Sequence, residues 1–234
     1  GTRNIGSRAF VGDIDGDGYA DVAFTSNSYF DALKYNRTTK TFQKLFTVTT
    51  SDTSGATTMT MFDFDNDGKV ELVYRDETHL RIINSLGANI VTFDCFSGTH
   101  TEYPVVADVD QDGHADIIVA GSLTNVVPNA NQRLQKFGSK TPKTWSPARS
   151  VWHQHGYNPT MINEDLSVPR YPMSITTEVI TENGTVRRPY NSFLQQAGVL
   201  NMQGEFINKA HDLAFLNKNQ DLSYNQSTDV LTIT

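Results

Sequence analysis

Three short stretches place oxygen-bearing side chains at alternate positions: Asp13, Asp15, Asp17 and Asp21, then Asp63, Asp65, Asp67 and Glu71, then Asp108, Asp110, Asp112 and Asp116. Counted from the first Asp, the acids stand at positions 1, 3, 5 and 9, and position 6 is always glycine (Gly18, Gly68, Gly113). Alternate side chains of a tight loop converge on one point. Glycine permits the positive φ that turns the position-7 carbonyl inward, here that of Tyr19, Lys69 or His114. Many flexible, hard oxygen donors suit Ca²⁺ better than Mg²⁺, which keeps more of its water. Twelve of the 26 acidic residues lie in these stretches, and one divalent cation in each would move the formal net charge from −7 to −1. About three calcium sites are therefore expected. An ion in each loop lets two strands meet by neutralising the acids between them; bridging to a ligand, or regulating its binding, is the other role open to it.

The EF-hand shares the first half of this spacing but needs a bidentate Glu at position 12 and helices on both sides. Position 12 is Phe24, Tyr74 or Val119, and each loop runs straight into a β-branched strand. The expected unit is thus a β-turn-β calcium loop. The loop starts, Asp13, Asp63 and Asp108, are 50 and 45 residues apart, within the range of propeller blades. A short apolar strand precedes each loop ("RAFVGDI", "TMTMFDF", "YPVVADV") and a second follows it ("ADVAFTS", "VELVYRD", "ADIIVAG"). Third strands ("FDALKYN", "LRIINSL", "QRLQKFG") and fourth strands ("TFQKLFTV", "NIVTFDCF", "TWSPARSVW") complete the rhythm. No window shows sustained helical periodicity. Four short antiparallel strands per repeat describe blades of a β-propeller, all-β, over residues 1–150; a single β-sandwich with similar loops is the competing architecture.

"DIDGDGYADVAF", "DFDNDGKVELVY" and "DVDQDGHADIIV" resemble the calcium-loop core of FG-GAP (VCBS-type) repeats, as in integrin α-like propellers and many secreted bacterial proteins. The likeness covers residues 8 to about 150. Residues 145–172 also resemble a segment that follows such repeats in large surface proteins of Bacteroides-like bacteria. The resemblance implies a noncatalytic, extracellular or cell-surface module for adhesion or recognition, with a glycan or protein ligand. Such propellers usually close with about seven blades, so three would leave open sheet edges. Either further blades belong upstream, or residues 150–209 cover an edge, or chains associate through the edges; a piece of a longer protein is the favoured expectation.

Residues 151–209 lose the rhythm and read as an irregular extension packed on the last blade, with Trp152, Tyr157, Tyr171, Tyr190 and Phe193 buried. "SFLQQAGVL" (192–200) reads as one short helix, and "INEDL" (162–166) as surface. His153 and His155 would share a face if extended, where packing or hydrogen bonding is expected ahead of a transition-metal pair. The tail, residues 210–234, resembles the first strands of a truncated Ig-like module, with a hairpin turn at Asn225–Asp229. Sequons at Asn36, Asn183 and Asn225 carry little weight in a bacterial protein.

Net charge −7 disfavours nucleic acid, and no run of eighteen apolar residues offers membrane insertion. Cys95 is the single cysteine, so neither an intrachain disulfide nor a thiolate zinc site can form; a buried hydrophobe is its expected role. No catalytic motif such as G-x-S-x-G or H-E-x-x-H occurs. A propeller-based polysaccharide lyase or glycosidase would draw on Arg75, Asp76, Glu77, His79 and Arg81, which a solvated turn explains more simply.

Overall fold

Short runs rich in Val, Ile, Phe and Thr, separated by Gly, Asn and Asp, pleat into strands because branched and aromatic side chains pack well on a half-buried sheet. A computed structural model of the chain describes residues 8–99, 101–121, 133–140, 144–176, 179–182, 184–199, 222–225 and 230–233. The first sheet is β1 (Phe10–Gly12), β2 (Asp21–Ser26), β3 (Tyr29–Asn36) and β4 (Thr41–Thr49), antiparallel in that order. The second repeats the pattern with β5 (Met59–Phe62), β6 (Glu71–Arg75), β7 (His79–Ile83) and β8 (Asn89–Asp94). Both carry a register shift at the same place, opposite Ala32/Leu33 and opposite Ile82/Ile83, which sharpens the twist of the two outer strands. The third sheet has β9 (Val105–Ala107), β10 (Asp116–Gly121) and β11 (Arg133–Gly138). Two hairpins follow, β12 (Ile180–Glu182) with β13 (Thr185–Arg187) and β14 (Leu222–Asn225) with β15 (Val230–Ile233).

The architecture is all-β with blade-like sheets in a partial propeller. The innermost strands adjoin, β1 beside β5 and β5 beside β9. One apolar core lies between the first two blades, with Phe10, Phe30, Met59, Leu72 and Tyr74. A second lies between the second and third, with Phe62, Val73, Ile82, Val106 and Ile117. All five residues of β6 are buried, as a strand covered on both faces must be, whereas the outer β8 is mostly exposed. Cys95 is fully buried in the second core and burial pushes its thiol up, in keeping with its expected packing role.

Four expectations need correction. "TWSPARSVW" adds no fourth strand to the third blade. It runs instead between the second and third loops, where Ser146 N donates to Phe64 O, Ala115 N to Ser146 O and Asp108 N to Arg149 O. Phe64 packs edge-on against Trp145 at 4.8 Å, and Pro147, which has no N–H to donate, does not suit a regular ladder. Of "SFLQQAGVL", the described residues 192–199 are not helical. They cross the inner strands, Phe193 bridging Val11 and Gln195 bridging Met61 with Leu194 left-handed between them, because the unpaired inner edges of β1 and β5 supply backbone partners. Fully buried Gln196 completes the crossing by donating to Val106 O and Val151 O and accepting from Tyr157. The extension therefore touches all three blades. Tyr171 is 80% exposed and shares none of this burial, while Trp152 stacks on buried Tyr157 at 4.0 Å.

The fourth correction concerns Arg75 to Arg81. Arg75 and Asp76 are fully buried. The Arg75 guanidinium reaches Ala120 O and Glu102, and Asp76 accepts from the N–H groups of Thr78 and His79 and pairs with Arg81. The turn is pinned from inside rather than solvated. The expected tail hairpin is present as β14 paired antiparallel with β15, Asn225 opposite Val230; its expected turn and the wider Ig-like reading fall partly on residues outside those described. No helix among the described residues is long and apolar enough to cross a membrane.

Candidate metal centre

Each acidic loop connects the innermost strand of a blade to the next, β1 to β2, β5 to β6 and β9 to β10. The position-9 acid starts the second strand and is buried: Asp21 at 2%, Glu71 at 4% and Asp116 at 2% exposure. Its carboxylate reaches back to the loop entrance, accepting from Ile14 N at 3.0 Å, Phe64 N at 2.9 Å and Val109 N at 3.2 Å. The position-1 Asp accepts from the position-6 glycine, Gly18 at 2.8 Å, Gly68 at 2.8 Å and Gly113 at 3.2 Å. The position-5 Asp accepts from the position-7 N–H of Tyr19, Lys69 and His114 at 3.0, 2.8 and 2.9 Å. The three loops thus close by one pattern, and Glu71 reaches as far as the aspartates that replace it.

The position-6 glycines have φ of +87°, +83° and +87°, the left-handed conformation that a side chain would strain. Position 4 is left-handed too, at Gly16, Asn66 and Gln111. Sequence reasoning passed over that position; Gly and Asn there were a readable signal, Gln was not.

Carboxylate oxygens converge within 4.8 Å of one another in three groups: Asp13, Asp15 and Asp17; Asp63, Asp65 and Glu71; Asp108, Asp110 and Asp116. Of the other expected acids, Asp21 is turned to the backbone of residues 14 and 15, while Asp67 and Asp112 cap the turn. His153 packs on Tyr157 and His155 on Tyr103, and neither joins a metal-competent group among the described residues.

The donor set fits a hard cation. It is all oxygen, and Asp13 Oδ1 and Asp108 Oδ1 are buried without a hydrogen-bond partner. A buried anionic oxygen left unpaired is costly, and a cation removes that cost. Burial pushes the Asp13 carboxyl up to about 6, Asp21 to about 7, Asp63 to about 7 and Glu71 to about 8, with neighbouring carboxylates adding to each rise. Lys136 beside Asp110 lowers that carboxyl.

These shifts set a pH dependence. Unfolded carboxylates release their protons near pH 4, whereas these four hold theirs to pH 6–8 in the metal-free fold. Their contribution to stability is complete below about pH 4 and is lost as pH rises through the folded values. Metal-stripped protein is therefore expected to melt at least about five degrees higher at pH 5 than at pH 8. Saturating calcium should cancel or invert that order, since the ion binds deprotonated carboxylates. Differential scanning fluorimetry across pH in both buffers checks this; equal slopes would show that the acids are not buried as described.

Other side chains shape the first loop. The β12–β13 hairpin leans on it so closely that a Cβ at Gly18 would stand 2.1 Å from Val186 O, and Arg187 Nη1 lies 3.9 Å from Asp13 Oδ2. Only its distance in sequence hid this contact.

Residues 13–74, spanning the first two loops, match the model of the FG-GAP-like repeat. In the solved structures, the chain is similar to the V. cholerae biofilm matrix protein Bap1, with a TM-score of 0.60 and 22% identity over 76% of this chain. The match takes in 28% of that chain, so the present sequence spans under a third of its length. That degree of likeness shows a common fold. No curated protein matches the chain.

Proposed function

We propose that the chain is a noncatalytic, extracellular adhesion or recognition module whose blades are held by calcium. The observation that carries it is the threefold convergence of oxygen-only carboxylate groups between paired strands, with the Oδ1 atoms of Asp13 and Asp108 buried and unpartnered. In this reading the calcium ligands are the side chains of Asp13, Asp15, Asp17 and Asp21, of Asp63, Asp65, Asp67 and Glu71, and of Asp108, Asp110, Asp112 and Asp116. The carbonyls of Tyr19, Lys69 and His114 complete the sets. The match to the FG-GAP-like repeat and the likeness to a biofilm matrix protein support an extracellular, adhesive setting.

A glycan ligand is favoured by exposed aromatic rings on the first blade. Tyr35 and Phe42 lie 5.3 Å apart at 44% and 59% exposure, and Arg37 sits 3.7 Å over the Tyr19 ring beside the first loop. Apolar ring faces with polar groups alongside suit a sugar, which has one face of each kind. Probing glycan and matrix-protein arrays, with and without calcium, tests the reading. Calcium-dependent capture, lost on Tyr35→Ala/Phe42→Ala, is expected. Release of new reducing or unsaturated ends from a polysaccharide would make the protein an enzyme instead.

A further inference from the structure

We infer that Lys34 and Lys136 are built-in competitors for the cation, so that the second loop fills first and the first and third respond only at higher calcium. The inference rests on the calcium reading above. Lys34, on β3, places its ammonium 2.5 Å from Asp15 Oδ2 and 3.1 Å from Asp17 Oδ2. Lys136, on β11, bonds Asp110 and lies 3.0 Å from Asp116 Oδ1. Each bridges two of the three carboxylates that converge in its own loop. The second loop differs. Lys69 reaches only Asp67, at 3.5 Å, and Asp67 stands outside the convergent group of Asp63, Asp65 and Glu71. Among the described residues, no ammonium or guanidinium is within ion-pair reach of those three.

These first and third loops are also where Asp13 Oδ1 and Asp108 Oδ1 stay buried and unpartnered, Asp108 being 8% exposed. A lysine bridging the neighbouring acids therefore does not satisfy the innermost oxygen. A divalent ion that takes the site must break both lysine contacts and then tolerate a cation close by. The lysine stems are 31% and 42% exposed, and a flexible stem lets the ammonium swing into water without disturbing the sheet. In the first loop the Arg187 guanidinium, 3.9 Å from Asp13, adds to the competition. Lysine thus keeps the first and third loops closed when calcium is scarce, and the ion replaces it when calcium is plentiful.

Calcium titration calorimetry on the wild type, Lys34→Gln and Lys136→Gln tests this, with Asp65→Asn identifying the second loop's step by abolishing it. One tight and two weaker steps are expected in the wild type. Each glutamine should tighten one weak step roughly tenfold and leave the tight step unmoved. Crystals equilibrated at graded calcium provide a measurement that needs no variant: density should fill the second loop before the others. Three equal steps unmoved by glutamine, or simultaneous filling, overturn the lysine competition and leave the calcium reading intact. Absence of any calcium heat in the wild type overturns both.

Discussion

Removing calcium is expected to lower the melting temperature of this protein by roughly 10–20 °C, and restoring millimolar calcium should recover it. The expectation follows from what each loop holds together. With the ion gone, four carboxylates stand between two strands that must pair, and the innermost oxygens of Asp13 and Asp108 keep no partner. Ligand linkage sets the scale: a site of about 10⁻⁴ M affinity contributes about 1.8 kcal/mol at about 2 mM free ion, so three give about 5 kcal/mol. A chain of this size moves about 2–4 °C per kcal/mol. Calorimetry in chelator and in calcium reads the difference directly. Magnesium at the same concentration should recover much less, because it demands octahedral geometry and retains its water. An unchanged transition in chelator would show that the loops close by their hydrogen bonds alone, and the ion would lose its structural role.

The loops were legible in the sequence because their chemistry is local. Asp13 to Asp21 lie in one turn, so residue type and spacing determine which backbone N–H groups the carboxylates meet. The strands before and after were legible for the same reason, since alternation within six residues reports on the two faces of one strand. What spacing cannot carry is the contact made across many residues. Lys34 and Lys136 look like ordinary surface lysines until strand pairing brings them beside the acids. Arg187 meets Asp13 only because a distant hairpin docks there. Residues 192–199 show the limit plainly. Gln, Gln, Ala and Leu favour a helix locally, yet the free inner edges of β1 and β5 offer hydrogen bonds that a helix would forgo. The same holds for Arg75 and Asp76, whose charges suggest solvent but which the fold buries against Ala120 O, Glu102 and Arg81.

Arg149→Ala is expected to be the single substitution most damaging to the hold on the extension, lowering stability by about 3–5 kcal/mol and the melting temperature by about ten degrees. Arg149 is 4% exposed and gathers the chain that follows it. Its Nη1 donates to Pro159 O at 2.7 Å and to the Tyr157 hydroxyl at 3.2 Å, and its Nη2 donates to Ile162 O at 2.7 Å. Nε donates to Glu164 at 2.6 Å. Alanine would leave two buried carbonyls without donors and a void beneath Tyr157, where each unsatisfied group costs about 1–3 kcal/mol. The ion pair matters less, because Glu164 has a side chain 52% exposed and water screens it. Glu164→Gln should therefore cost under about 1 kcal/mol, and this contrast separates carbonyl anchoring from charge pairing. The Arg149 backbone carbonyl accepts from Asp108 N at 3.1 Å, at the head of the third loop, so loosening residues 150–164 should also weaken that loop's hold on calcium. Limited proteolysis reads the first consequence as new cleavage between residues 150 and 170, and calorimetry reads the second as one weakened step. Equal losses for Arg149→Ala and Glu164→Gln would mean that the extension is held by charge rather than by its backbone.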